Sequence, residues 1–342
     1  MGIEIVPFTE DHTQEAAPLL AARHAADRRY APALPERYER TAVCRELLRA
    51  EIAQPGVSGV AAVCGGKLTG YMLGATVLPD PNGNPLFHEE RATIVRQAWH
   101  AVAPDGGEAT YRALYGMLAR QWLEQGSFAH YLWAPAAAGA ALDTWYALGF
   151  TQNTVSAVSA LTGTRGGDDD GDEPRVGCGD WELRRAGPDD LETVLELCVA
   201  NMRFHAEPPT FFPLFPELEA SMRPYMALSL ADPDCACWLA ERDGQVLGLQ
   251  TFARAGDALQ TPERAVYLDH GFTVPEARGT GVGSALLART RRWAREAGYD
   301  RCTLMYAPAN PLSSRFWPAH GFRPLYYRLA RRIDPRIIWA RG

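Results

Sequence analysis

An internal repeat constrains the fold of this chain more than any other sequence feature. The hairpin-like sequence GGKLTG at residues 65–70 corresponds to DGQVLG at residues 243–248 in the second half. Gly149-Phe150 recurs as Gly321-Phe322 at a similar spacing. Each half reads as strand, helix, irregular helices, three strands, helix, strand, helix and strand. The sequence therefore predicts a tandem duplication of one α/β unit.

A stretch rich in Gly and Asp separates the two repeats. It spans residues 163–179 and includes Asp168-Asp169-Asp170, a composition that cannot bury a core. We expect a flexible linker here, with a degenerate domain at residues 1–162 and a catalytic domain at residues 180–342. The Asp triplet is typical of a solvated charge run, and we expect no metal site.

The composition limits the class of protein. With 342 residues, of which 47% are hydrophobic, the chain can bury two cores, and no apolar run is long enough to span a membrane. The net charge of −7 argues against a nucleic-acid partner and favours a cationic one such as an amine. The seven cysteines are scattered, and Cys235 and Cys237 lack a second pair at metal spacing. With no secretory signal at the start, we expect a reduced, cytoplasmic monomer or homodimer.

The sequence Arg278-Gly279-Thr280-Gly281-Val282-Gly283 lies between a strand-like run and a helix-like run. A glycine-rich turn that leads into a helix directs backbone N–H groups and the helix dipole at one point, which suits a phosphate or pyrophosphate. A Walker-type loop would need a Lys-Ser/Thr pair, and a dinucleotide fingerprint would need glycine in place of Ser284. The remaining alternative is a plain tight turn between strand and helix.

The first repeat differs from the second at this loop. At the offset that relates Gly149-Phe150 to Gly321-Phe322, the positions of Arg278, Gly281 and Gly283 correspond to Gly106, Ala109 and Tyr111. A tyrosine side chain would block the close approach of a phosphate to the backbone. The comparison predicts that the first half has lost the anion site and that function lies in the second half.

The motifs around and after the loop resemble those of a known family. Arg278-x-x-Gly281-x-Gly283 is similar to the [Q/R]-x-x-G-x-[G/A] signature of the GNAT superfamily of acetyl-CoA-dependent N-acyltransferases. Asn310, the aromatic helix after it and Gly321-Phe322 resemble the downstream segment of that superfamily. The resemblance covers residues 180–336 and extends to the first half as a degenerate copy. It implies an α/β fold of two tandem GNAT-like domains, each a mixed, mostly antiparallel twisted sheet flanked by helices.

The resemblance also implies how acetyl-CoA binds. Backbone N–H groups of the glycine loop and the first helical turn would hold the pyrophosphate, and the end of the preceding strand would offer backbone groups to the pantetheine arm. Asn310 would donate its side-chain amide to the same arm. The implied cofactor-binding residues are Phe272, Thr273, Val274, Arg278, Gly279, Thr280, Gly281, Val282, Gly283, Ser284, Asn310, Ser313, Phe316 and Trp317.

Direct attack of an amine on the thioester requires removal of a proton from the ammonium and protonation of the thiolate. Asp269 and His270 lie on the strand that leads into the site, with side chains expected on opposite faces. We favour Asp269 as the base; a substrate-binding carboxylate is the alternative. The position where the family often carries a tyrosine acid is Trp317, which cannot act as an acid near neutral pH. Tyr306, Ser313 or its neighbour Ser314, or water, would then protonate the thiolate.

These observations predict an N-acetyltransferase that transfers the acetyl group of acetyl-CoA to a small-molecule primary amine. Protein lysine or N-terminal amines are the alternative acceptors. A non-catalytic acyl-CoA sensor is the alternative of another class, motivated by the missing tyrosine.

Overall fold

The computed structural model describes residues 2–77, 89, 91–161 and 181–341, so the predicted linker at residues 163–179 lies outside the described residues. The first half contains β1 (Glu4–Pro7), α1 (Thr13–Tyr30), α2 (Thr41–Ile52), β2 (Val57–Cys64), β3 (Lys67–Val77), β4 (Ala92–Val95), β5 (His100–Val102), α3 (Gly107–Glu124), β6 (Ala129–Pro135), α4 (Gly139–Ala147) and β7 (Thr151–Ala160). The second half contains β8 (Glu182–Arg185), α5 (Leu191–Ala206), α6 (Leu218–Ala231), β9 (Ala236–Arg242), β10 (Gln245–Arg254), β11 (Ala265–Thr273), α7 (Val282–Glu296), β12 (Arg301–Tyr306), α8 (Ser313–Ala319) and β13 (Arg323–Arg332). Short 3₁₀ turns occur between several of these elements. The two halves have the same element order, apart from the extra short strand β5.

The two predicted hairpin turns have matching geometry. Gly65 and Gly66 join β2 to β3 with φ of 60° and 78°, and Asp243 and Gly244 join β9 to β10 with φ of 51° and 77°. Two successive residues with positive φ form the tight turn whose twist matches that of the flanking strands, and glycine and aspartate tolerate this conformation. The local sequence therefore fixes both hairpins.

The strands form one mixed sheet across both halves. Its order is β1-β2-β3-β4-β6-β13-β7-β12-β11-β10-β9-β8, with β5 paired to β3 off this path. The pairs β4–β6 and β11–β12 are parallel and the other pairs are antiparallel. The predicted fold class is confirmed, but the two predicted sheets are continuous with each other.

The last strand of each half lies against the other half. β13 pairs with β6 and β7, and β7 pairs with β12 from Arg301↔Ala160 to Tyr306↔Val155. Tyr326 and Leu329 of β13 are buried in the core of the first half, while Val155 of β7 is buried in the core of the second. Each hydrophobic core is therefore completed by a strand from the other repeat.

The described residues contain no helix long and apolar enough to cross a membrane. Every cysteine in the described part of the chain is a free thiol. Clusters of three or more His, Cys, Asp or Glu side chains suited to a metal ion are absent from the same residues.

Candidate active site

The candidate site lies where two parallel strands separate. β11 and β12 pair only from Ala265↔Arg301 to Leu268↔Leu304, although β11 stays paired with β10 as far as Thr273. Beyond Leu268, the edge of β11 that faces β12 lacks a partner strand among the described residues, so its backbone groups are available to a ligand. A cavity of about 420 Å³ opens at this point, between α5, β10, β11, the glycine loop, α7, β12 and α8.

Most of the predicted site residues meet at this cavity. Its walls include Asp269, Phe272, Thr273, Arg278, Gly279, Gly281, Val282, Gly283, Ser284, Tyr306, Asn310, Ser313, Phe316 and Trp317. His270, Val274 and Thr280 do not line it. Asn201 and Gln250 line it and were not predicted. The available signal for Gln250 was a long polar side chain in the buried middle of a strand.

Asp269 occupies a β-bulge. Thr251 of β10 pairs with His270 and Phe252 pairs with Leu268, so Asp269 is an extra residue in β11. Asp269 Oδ2 lies 3.6 Å from His270 Nε2, so the two side chains approach each other instead of pointing apart. The prediction that these two side chains point to opposite faces was wrong because the bulge interrupts the alternation.

The histidines near Asp269 are held in their neutral form. Burial lowers the pKa of His270, while the neighbouring Asp269 carboxylate acts in the opposite direction. Burial and the nearby His270 lower the pKa of His205 to about 4. His270 Nδ1 lies 3.4 Å from Asn201 Nδ2, and the His205 ring stacks on Phe212. At neutral pH, the imidazole of His270 beside Asp269 is therefore uncharged.

The glycine loop forms the start of α7. Gly281 adopts a left-handed conformation with φ of 95° and caps the helix, a conformation that costs other residues about 1–2 kcal/mol. The N–H of Ala285 makes a hydrogen bond of 3.0 Å to the Gly281 carbonyl oxygen. The N–H groups that precede Ala285 in the helix have no intrahelical acceptor, and their residues line the cavity. Free N–H groups arranged in this way at a helix start are suited to an anion.

Two side chains fix the position of this loop. Arg278 donates from Nε to the Thr273 carbonyl oxygen at 3.1 Å, and its guanidinium lies 4.5 Å from the centre of the Phe204 ring. Gln250 donates from Nε2 to the Gly283 carbonyl oxygen at 3.2 Å. Gln250 Oε1 is buried and makes no hydrogen bond within the described part of the chain. The loop is thus tied to β11, α5 and β10.

The opposite wall comes from β12 and α8. Asn310 Oδ1 accepts hydrogen bonds from the N–H groups of Leu312 at 3.0 Å and Ser313 at 3.4 Å, which orients its Nδ2 as the remaining donor. Ser313 Oγ donates to the Ala307 carbonyl oxygen at 3.2 Å. Burial raises the pKa of Tyr306, so its hydroxyl remains protonated at neutral pH.

Trp317 packs against the backbone of β11. A Cβ added to Gly271 would lie 3.4 Å from the Trp317 indole, so glycine allows this close contact. The indole lies beneath the separated strand at the position where the family resemblance suggests an acid. Its role in this geometry is to support β11 and wall the cavity.

The corresponding space in the first half is filled by side chains. Tyr111 is buried, its hydroxyl lies 3.0 Å from His100 Nδ1, and its ring centre lies 5.0 Å from that of Trp145. Arg23 of α1 donates hydrogen bonds to the carbonyl oxygens of Gln97 and His100. Backbone groups and space that a ligand would need are therefore occupied.

The constant offset used to compare the two loops was wrong. Gly106 caps α3 with φ of 80°, so its structural counterpart is Gly281, the cap of α7, and not Arg278. The first half has the shorter loop between strand and helix. Counted back from the glycine that follows each helix, α3 also begins further away than α7 does. When the two helices are aligned on these glycines, so that Gly126 corresponds to Gly298, Tyr111 still corresponds to Gly283.

Residues 200–322 match the acetyltransferase (GNAT) family model. The chain therefore contains a GNAT-family domain over these residues. Members of this family are acyltransferases, which accords with an anion-binding helix start beside two separated strands. No curated protein sequence matches the chain.

Two solved structures share the GNAT fold. A GCN5-related N-acetyltransferase from Sphaerobacter thermophilus is 15% identical with a TM-score of 0.59, and the match covers 97% of this chain and 96% of that one. A GCN5-related glucosamine N-acetyltransferase region of a fungal multi-domain β-N-acetylglucosaminidase is also 15% identical, with a TM-score of 0.56. That match covers 96% of this chain and 38% of the fungal chain. Both likenesses in fold therefore extend over the two halves of this chain.

Proposed function

We propose that this protein is an N-acetyltransferase that uses acetyl-CoA and works through a single site in its second half. The observation that carries the proposal is the meeting of two features in one cavity. One is the helix start at Gly281 with its free N–H groups, and the other is the separation of β11 from β12 beyond Leu268. The first suits a pyrophosphate, and the second suits an amide-bearing arm.

The residues present fit acetyl-CoA. The cavity offers backbone donors at the start of α7, unpaired backbone on β11 and the oriented Nδ2 of Asn310. The buried Gln250 Oε1 provides an acceptor without a protein partner in the described residues. When bound, acetyl-CoA supplies the acetyl group as an activated thioester. The protein contributes binding, orientation and proton transfer.

Asp269 is the group best placed to remove a proton from the acceptor ammonium. Its carboxylate lies at the bulge where the strands begin to separate, at the cavity wall. Burial lowers the pKa of the neighbouring His270, so this side chain does not compete as a cation for the Asp269 carboxylate at neutral pH. A carboxylate in this position also binds the ammonium before the proton is transferred.

Among the predicted acid candidates, Tyr306 is better placed than Ser313. It lines the cavity on the strand facing Asp269, and burial raises its pKa, which keeps the hydroxyl proton in place. The Ser313 proton is directed at the carbonyl oxygens of Ala307 and Asn310. We therefore assign protonation of the departing thiolate to Tyr306.

The favoured acceptor is a small primary amine. Phe204 and His205 of α5 wall the cavity, and the contact of Phe204 with Arg278 joins α5 to the glycine loop. A bounded cavity of this kind suits a compact amine better than an extended peptide. The cytoplasm is the compartment that we propose.

The test is a panel of amines incubated with purified protein and acetyl-CoA, with thiol release and product mass as readouts. The panel contains amino sugars, including glucosamine, together with linear diamines and lysine-containing or free N-terminal peptides. Turnover on a small amine supports the proposal, and turnover on peptides alone supports a protein acetyltransferase. Tight binding of acetyl-CoA without thiol release on any amine would instead identify an acyl-CoA sensor.

A further inference from the structure

A serine–histidine pair lies at the start of α7. Ser284 lines the cavity on the first turn of the helix, and its Oγ lies 3.0 Å from Nε2 of His320, which follows α8. His320 Nδ1 lies 2.8 Å from the carbonyl oxygen of Phe316, and the centres of these two rings are 4.1 Å apart. The histidine is therefore held on two sides, and one of its nitrogens reaches a cavity residue.

The Phe316 carbonyl oxygen decides the tautomer. A carbonyl oxygen only accepts, so Nδ1 of His320 must carry a hydrogen. In the neutral ring Nε2 then has a lone pair, and the Ser284 hydroxyl donates its single proton to it. That proton points away from the cavity, so the Ser284 oxygen presents lone pairs to any anion bound at the helix start.

Protonation of His320 reverses this hydrogen bond. The imidazolium donates from Nε2 to Ser284 Oγ, and the serine proton is free to turn to a phosphate oxygen. The positive charge also lies one side chain from the anion and against the face of the Phe316 ring, both of which favour it.

We propose that His320 positions the Ser284 hydroxyl for the pyrophosphate and that binding of the pyrophosphate is coupled to uptake of one proton by His320. This inference rests on the proposed function, because it takes the anion at the helix start to be the pyrophosphate of a coenzyme A. The proton comes from solvent and is returned when the ligand leaves. The consequence is affinity that increases as the pH falls through the histidine range.

One charged side chain, that of Arg291, contacts the backbone of His320. Arg291 of α7 donates to the His320 carbonyl oxygen, and its guanidinium also donates to Ser159 Oγ at 2.9 Å. Arg315 on α8 and Arg323 at the start of β13 are the nearest charged residues along the chain. No hydrogen bond or ion pair joins His320 to a carboxylate within the described residues.

The experiment is calorimetric titration with dephospho-coenzyme A, which keeps the pyrophosphate but lacks the 3′-phosphate monoester that would itself titrate near pH 6. Titrations at pH 7 in buffers of different ionisation enthalpy give the number of protons taken up. We expect wild-type protein to take up a measurable fraction of one proton and to bind roughly three- to tenfold more tightly at pH 6 than at pH 8. His320→Gln should take up none and should lose that pH dependence. His12→Gln, a change at a histidine of the first half, should behave as wild type.

The outcomes separate the two proposals. Binding without proton uptake by the wild type, or unchanged uptake in His320→Gln, overturns the role of His320 and leaves the proposed function intact. Equal weakening of His320→Gln at pH 6 and pH 8 shows a purely structural role and also overturns it. If neither dephospho-coenzyme A nor acetyl-CoA binds, the proposed function fails and this inference fails with it.

Discussion

A substitution at Gly283 tests whether the difference between the two repeats at this helix explains where the anion binds. Gly283 lines the cavity on the first turn of α7, and Tyr111 lies at the same distance from the glycine that follows the helix in the first half. A Cβ at Gly283 would lie 3.5 Å from the Phe316 ring and 3.6 Å from Thr273 Oγ1, which are ordinary contacts. The methyl group introduced by Gly283→Ala therefore fits. In Gly283→Tyr, the tyrosine ring must extend past Phe316 into the cavity.

The expected loss follows from the N–H groups that the tyrosine covers. Hydrogen bonds to a charged group contribute about 1.5–3 kcal/mol each. Loss of two such bonds to the pyrophosphate would cost about 3–6 kcal/mol, which is roughly a 10²- to 10⁴-fold increase in Kd. Gly283→Ala should increase Kd by less than about threefold, because it blocks no N–H group.

The assay is calorimetric titration with acetyl-CoA, with thermal unfolding to confirm that each variant is folded. Gly116→Tyr is the matched control, because Gly116 is an exposed residue within α3 with no atom within 4 Å of an added Cβ. It should bind as wild type. Binding of acetyl-CoA by folded Gly283→Tyr within threefold of wild type would refute the assignment of the anion site to this helix start.

Four further outcomes are expected. Asp269→Asn should lower kcat by about 10²- to 10⁴-fold while the Kd for acetyl-CoA changes little, and unchanged turnover across pH would rule out the base. Tyr306→Phe should lower kcat by about tenfold, because a thiolate is a stable leaving group, and Ser313→Ala should change it by less than twofold; the reverse order in steady-state kinetics would reassign the acid. Burial lowers the pKa of His130 to about 4, so the folded state resists its protonation and stability is lost as the pH falls from about 6.5 towards 4. Relative to the His130→Gln variant, the wild type should lose about 2 kcal/mol of unfolding free energy between pH 7.5 and pH 5 in urea titrations, and an unchanged difference would contradict the shift. Residues 181–342 expressed alone lack β6 and β7, the partners of β13, and should be insoluble unless residues 1–161 are co-expressed; a soluble, fully folded fragment would contradict the strand exchange.

Local features of the site were predictable because their signals are local. Glycines with positive φ at the β9–β10 turn and at the start of α7 mark positions where few other residues fit. Asn310 was predictable from family resemblance, and the structure gives its physical role, since Oδ1 holds the start of α8 and leaves Nδ2 as a donor. These features depend on residues a few positions apart.

Features that depend on distant residues were not predictable. The bulge at Asp269 arises from the pairing of β11 with β10, and no proline or glycine at that residue marks it. The exchange of β7 and β13 depends on pairing between strands that are far apart in the sequence. The alternating pattern of each strand would fit equally well beside the strands of its own half. The division into domains at residues 1–162 and 180–342 stays a prediction. The strand pairing shows that the two halves share strands.

The most direct test of a single acyl-CoA site in the second half is the stoichiometry of acetyl-CoA binding to the intact chain. Calorimetric titration of the wild type should give one acetyl-CoA per chain, because Tyr111 and Arg23 fill the equivalent space in the first half. Two molecules per chain, or one molecule whose binding persists in folded Gly283→Tyr, would contradict the account.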